Sequence, residues 1–259
     1  MKKCIVLFLL IITFSFCGCM QKGDGLGQGY LPPIDLEQDF NDSEQEKQNK
    51  KTYAISKVDG LIVRSGPSTS SFVLGSLDKN DAVLCLNKQN GFYQTTFKEQ
   101  TAYVWAEYCT TMDVEIDQNS ATEKAIDFGA TLLGYPYVWG SQRYHWGNGK
   151  LNANFVNGQF DCSALVQYVY FKTNGVLLNL TSREQSLNGT QVDKNNLRRG
   201  DLMFFTNASR KNKTGIERIG HVGIYFGSNY ILHTASDHAV IEPISSVRWS
   251  YYITARRVV

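Results

Sequence analysis

Between residues 53 and 111, apolar and polar positions alternate in short runs: Ala54 to Val58, Leu61 to Arg64, Ala82 to Asn87, Phe92 to Phe97 and Thr101 to Ala106. Asp59-Gly60, Gly66-Pro67 and Asn90-Gly91 separate them with turn chemistry, and this spacing predicts a small β-barrel. The pattern then changes period. Ser120 and Glu123 read as a capping box that opens a helix through Leu133, stopped by Gly134 and Pro136. A second helix is predicted after Asp161, a favourable N-cap, with Leu165, Val166, Val169 and Tyr170 on one apolar stripe and an end near Gly175. A short helical stretch follows around Ser182 to Leu187. Strands are predicted at Leu202 to Thr206, Ile219 to Phe226, Tyr230 to Thr234, Val240 to Pro243 and Tyr251 to Val258. Helices first and strands after predict an α+β fold, with an antiparallel sheet packed on the second helix.

That second helix carries the most informative chemistry. In Gln159-Phe160-Asp161-Cys162-Ser163-Ala164, a cysteine sits where an extended run turns into a helix, so the unpaired N–H groups of the first turn favour its thiolate. A buried structural thiol is the plainer alternative, and a neighbouring base decides between them. Two candidate bases lie downstream, in Gly220-His221-Val222-Gly223 and Ile231-Leu232-His233. Only Gly227-Ser228-Asn229 separates their strands, which reads as a β-hairpin; centred near Gly227, it sets His221 directly opposite His233. Cys162 as nucleophile, His221 as base and His233 as orienter is the logic of a cysteine hydrolase. The His and Cys spacings do not match a zinc site, and this chemistry needs no metal or other cofactor.

Six ordered motifs carry a resemblance over about Ala121 to Arg257: Gly134-Tyr135-Pro136-Tyr137-Val138-Trp139-Gly140, Phe160-Asp161-Cys162-Ser163, Ser182 to Gln185, Gly200-Asp201-Leu202, Gly220 to Tyr225, and Ile231-Leu232-His233. The segment resembles the NlpC-type, papain-like cysteine peptidases of bacterial cell-wall turnover. The resemblance implies a catalytic triad at Cys162, His221 and His233, Tyr137 beside the oxyanion region, and substrate contacts at Tyr137, Asp161, Ser163 and Ser182. It also implies cleavage between D-γ-glutamate and the diamino acid of peptidoglycan peptides. An inactive wall-binding protein, and an amidase or acyltransferase on the same fold, are the alternatives. Ser141 and Ala164 replace glycines usual in the family, and the stretch from Ser141 to Gln159 is unusually long. It reads as a loop near the cleft from which His145 and Trp146 could contact substrate.

The run Leu61 to Ser68, with Gly91-Phe92-Tyr93 and Ala102-Tyr103-Val104-Trp105, resembles the bacterial SH3-like domain fused to wall hydrolases. The expected organisation is a signal peptide over 1–18, a flexible tether over 19–52, the SH3-like barrel over 53–112 and the peptidase over 121–259. A barrel joined so closely is expected to pack on the peptidase, and for such an arrangement the resemblance implies a preference for short peptides with a free N-terminal L-alanine, with Asp161 as cap and as partner for the ammonium. Thr181 stands where an acid would strengthen that amine site.

Lys2 and Lys3 precede an apolar run from Ile5 to Phe16, long enough for a signal-peptide core and too short to span a bilayer. Phe16-Cys17-Gly18-Cys19 looks like a lipobox, so an exported, membrane-anchored lipoprotein acylated at Cys19 is expected, an ordinary secretory signal being the alternative. Of 26 basic residues two leave with the first eighteen, which hold no acid, and the remaining 24 match 24 acidic ones. A net charge of zero, with Lys50 and Lys51 as a solvated linker end, gives no nucleic-acid face; the chain is read as a monomer. Export permits a disulfide between Cys85 and Cys109, and two separate thiols fit equally well.

Overall fold

The computed structural model describes residues 49–235 and 237–259. The apolar leader, Cys19 and the tether up to residue 48 lie outside the described residues. Eight strands come first: β1 (Lys50–Ser56), β2 (Leu61–Arg64), β3 (Val73–Leu77), β4 (Ala82–Leu84), β5 (Asn87–Gln89), β6 (Phe92–Phe97), β7 (Gln100–Trp105) and β8 (Cys109–Glu115). They make two antiparallel sheets, ordered β3-β2-β7-β6-β5 and β4-β1-β8, closed around Tyr53, Val63, Val83, Phe97 and Val104.

Two expected boundaries move because backbone pairing ignores side-chain polarity. β1 begins at Lys50, opposite Glu115, and β8 continues past Met112, so both supposed linker ends are ladder residues. Nor is Lys51 a solvated end. Its Nζ donates to Glu123 Oε2 at 2.9 Å and to Asp127 Oδ1 at 2.5 Å. Burial alone would lower its pKa, and these two acids more than reverse that. Cys85 and Cys109 are separate thiols, and burial pushes Cys109 up to about 11.

The rest of the chain comprises α1 (Ser120–Thr131), α2 (Cys162–Asn174), α3 (Ser182–Gln185), β9 (Thr190–Val192), β10 (Leu202–Phe205), β11 (His221–Gly227), β12 (Tyr230–Ala235), β13 (His238–Pro243), α4 (Ser246–Ser250) and β14 (Tyr252–Arg257). The strands form one antiparallel sheet, ordered β13-β12-β11-β10-β14-β9. The α+β expectation therefore holds. The α1 cap differs from the expected box: Asn119 accepts the Ala121 N–H at 3.0 Å, one residue earlier. Glu123 is drawn off by Arg199, whose Nε donates to it at 2.6 Å.

Helix α2 is buried throughout Cys162 to Tyr170 rather than along one stripe. One side packs on the Val222, Ile224 and Leu232 face of the sheet; Tyr144 and Phe155 of the long loop lie edge-on to and tilted against Tyr168. Gly175, at φ 66°, ends the helix in the left-handed conformation glycine tolerates best.

The barrel packs directly on this second unit. Lys98 and Glu99 donate their N–H groups to the carbonyls of Leu133 and Thr131 at 2.9 and 2.8 Å. Gly134 lets Phe97 approach so closely that a Cβ there would lie 2.0 Å from the ring. Arg199 stacks over Phe226 at 4.3 Å and donates to the Tyr53 hydroxyl at 3.0 Å.

Candidate active site

Asp161 caps α2, its Oδ1 accepting the Ala164 N–H at 2.8 Å, and so fixes Cys162 as the first helical residue. The thiol is 9 % exposed, with the backbone N–H groups of Ser163 and Val222 directed at its sulfur. Val222 follows His221, so the sulfur lies at the foot of the strand that begins with the imidazole. The helix terminus does not by itself yield a resting thiolate. Burial pushes the thiol up to about 11, Asp161 adds to the rise, and the two amides and Arg143 only partly oppose it.

The hairpin brings the two histidines together by a different register from the expected one. Ser228 and Asn229, at φ 49° and 63°, form the turn, two positions that a primed turn requires to be left-handed. The pairing then runs Ile224 to Leu232 and Tyr225 to Ile231, so Gly223, not His221, faces His233. The imidazoles meet diagonally, with His221 Nε2 and His233 Nδ1 2.8 Å apart. A built Cβ at Gly223 would come within 2.9 Å of His233 Cβ, so the glycine leaves room for that diagonal.

Continuing the diagonal into β13, Glu242 Oε1 lies 2.9 Å from His233 Nε2 and accepts from Arg248 Nη2 at 3.0 Å. Burial alone would raise the Glu242 pKa, but His233 and Arg248 hold it below the usual carboxylate range. An ionised carboxylate can only accept. The proton therefore sits on His233 Nε2, its Nδ1 accepts from His221 Nε2–H, and the Nδ1 lone pair of His221 is left for the thiol proton. Burial, the neighbouring His233 and Arg248 push His221 well below its ordinary value, so the resting imidazole is neutral and able to accept. Burial likewise lowers His233.

A cleft of about 420 Å³ opens beside His221, walled by Tyr137, Phe205, Asn207, Thr234 and Arg248. Tyr137 is held by its N–H on the Asp237 carbonyl at 2.6 Å and lies close enough to Cys162 and Asp161 that their charges add to the burial raising its phenol pKa. Ser182 opens α3 and is buried; Gln185 of the same turn ties that helix to the Ser163 carbonyl at 3.0 Å.

The long loop contributes something other than its expected contacts. His145 is fully buried, 4.6 Å from the Phe171 ring, and so is removed from the cleft; Trp146 is half exposed. Arg143 instead reaches the neighbours of Cys162, donating from Nη2 to Asp161 Oδ2 and to Ser163 Oγ, both at 2.9 Å. With Ser163 Oγ donating to Oδ1, both oxygens of Asp161 are engaged, and it is not free for a substrate ammonium.

Family models match both parts of the chain, the NlpC/P60 family over residues 134–258 and the bacterial SH3 domain over 59–110. Residues 134–258 form a domain of the NlpC/P60 family. The chain is similar to the peptidoglycan DL-endopeptidase CwlO of Bacillus licheniformis, 33 % identical over 54 % of this chain and 29 % of that one. It is also similar to the γ-D-glutamyl-L-lysine dipeptidyl-peptidase of Bacillus subtilis, 30 % identical over 63 % of this chain and 48 % of the relative. The chain thus spans less than half the length of either. Among solved structures, an NlpC/P60 family protein from Bacillus cereus is 25 % identical, covers 84 % of this chain and 66 % of that one, and has a TM-score of 0.42. Within the NlpC/P60 domain, Arg143, Glu242 and Arg248 went unread in the sequence. The only signal for Glu242 was its parity: two residues beyond Val240 on β13, it shares the face of the strand that pairs with His233.

Proposed function

We propose that the protein is a cell-wall cysteine peptidase that hydrolyses the bond between D-γ-glutamate and the diamino acid of peptidoglycan peptides. The observation that carries the reading is the unbroken line from His221 through His233 to Glu242, ending at the strand foot where the Cys162 sulfur lies. The names of the relatives, a DL-endopeptidase and a γ-D-glutamyl-L-lysine dipeptidyl-peptidase, support the bond. His221 takes the thiol proton as the sulfur attacks the γ-carbonyl, then gives it to the departing amine; water, activated by His221, releases the acyl group. Tyr137 flanks the oxyanion, and Ser163 and Ser182 line the acyl side.

The free L-alanine amine receives no role in this reading. An ammonium needs an unpaired carboxylate, and Arg143 fills Asp161 while adding a positive charge beside it. Digestion of defined muropeptides by the purified protein should therefore yield a new amino terminus on the diamino acid, and N-acetylating the alanine should change kcat/KM less than about threefold. Cleavage between the sugar lactyl group and L-alanine would instead identify an amidase. Products from the Cys162→Ala variant at the wild-type rate would remove the nucleophile from the mechanism.

From residues 1–19 we further propose export and acylation at Cys19, which places the enzyme on the envelope side where its substrate lies. Cys19→Ala should move the protein from the detergent-extracted membrane fraction to the soluble one; a wild type already soluble would refute the anchor.

A further inference from the structure

The cleft beside His221 has an unbalanced lining. Its polar walls include Tyr137, Thr206, Asn207, His221, Ser245 and Arg248, and among the described residues no aspartate or glutamate lines it. Arg248 is its cation. Among the described residues the guanidinium uses only Nη2 on a protein acceptor, Glu242, and leaves Nε and Nη1 without one while lying 5.8 Å from the Phe205 ring centre. A guanidinium with unfilled N–H donors beside a cleft whose described lining holds no acid fits an anionic group.

Its place in the reaction follows from proton delivery. His221 must hand its proton to the leaving nitrogen, so the half of the substrate that departs as the amine occupies the histidine side, and the acyl half occupies the side of Cys162 and Ser163. On the function proposed above, that departing half begins with the diamino acid.

We propose that this cleft is the leaving-group subsite and that Arg248 is a specificity-determining residue that holds a carboxylate carried by the departing diamino acid. A side chain ending in both an amino and a carboxyl group, as in diaminopimelate, offers that carboxylate where lysine offers only a second positive charge. The main-chain carboxyl of a trimmed tripeptide is the other source of the same chemistry.

The test uses the full chain with Cys162→Ala, so that binding is read without turnover, and three peptides: L-Ala-γ-D-Glu-diaminopimelate with its main-chain carboxyl amidated, L-Ala-γ-D-Glu-L-Lys amide, and L-Ala-γ-D-Glu-L-Lys with a free terminus. Calorimetry should give the first at least tenfold tighter than the second; if the third gains instead, the carboxylate held is the main-chain one. Adding Arg248→Gln should abolish whichever gain is seen, and Arg248→Lys should keep part of it. Equal affinities for all three, no binding of any, or a gain that survives Arg248→Gln would overturn the proposal. Because Arg248 also touches Glu242, its loss lowers turnover of every substrate, whereas the ratio between peptides moves only if it contacts the carboxylate. Product analysis with the active enzyme judges the bond cleaved, so the two readings fail separately.

Discussion

Glu242 decides which nitrogen of each imidazole carries a proton, and it does so from two side chains away. Its charge fixes Nε2–H on His233, which fixes Nε2–H on His221, which frees Nδ1. The pH dependence follows with a definite sign. Protonated His221 cannot accept the thiol proton, and burial holds it well below its ordinary value, so kcat/KM should rise from acid through an apparent pKa below the ordinary imidazole range. With the thiol at about 11, activity should then stay level to roughly pH 9. Glu242→Gln removes a charge that raises the His233 pKa, so the acid limb should move to lower pH while kcat falls by about ten- to a hundredfold through loss of the enforced tautomer. A pH profile of the variant that matches wild type in both respects would show that the carboxylate does not govern the pair.

At the scale of elements, Gly223 links packing to chemistry. An alanine there would place its Cβ 2.6 Å from Ile231 Cδ1 and 2.9 Å from His233 Cβ, with Ile231 fully buried and unable to withdraw. Gly223→Ala should cost about 1–3 kcal/mol by overpacking and lower kcat about tenfold as His233 is displaced. Denaturant unfolding and steady-state rates read the two effects; a loss of stability with an unchanged kcat would mean that the diagonal tolerates the shift. This hairpin also marks what was legible in the chain. The two strands and the partnership of His221 with His233 were readable, because imidazoles are scarce here and turn residues stand between them. Their register was not. Glycine at 227 drew the turn centre toward itself, whereas Ser228 and Asn229 supply the left-handed pair. Asn119 displaced the Ser120 cap for a related reason: Glu123 completes a capping box in sequence, yet a buried arginine 76 positions away claims its carboxylate. Arg143 was invisible because a loop's reach toward Asp161 has no periodicity to betray it.

For the molecule as a whole, the same Glu123 joins the barrel to the NlpC/P60 domain. Lys51 of β1 and Arg199 converge on it, at 2.9 and 2.6 Å, and Arg199 continues to the Tyr53 hydroxyl and the Phe226 carbonyl. Burial alone would raise the Glu123 pKa; Arg199, the Asp117 N–H and Lys51 reverse that, so the carboxylate stays ionised in the interface. Replacing it leaves Arg199, 7 % exposed, as a buried charge without its acid, a loss that costs about 3–5 kcal/mol where such pairs are broken. Glu123→Ala should therefore uncouple the two domains. In wild type, denaturant should expose Cys109 of the barrel to alkylation at the same midpoint at which hydrolysis is lost. In the variant the Cys109 transition should come first, leaving a window in which the barrel is open and the NlpC/P60 domain still turns over substrate. Glu123→Gln keeps acceptors for both cations and should lie between the two. If Glu123→Ala instead loses less than about 1 kcal/mol and its two transitions stay coincident, Asp127 has taken over both cations and the interface does not depend on Glu123.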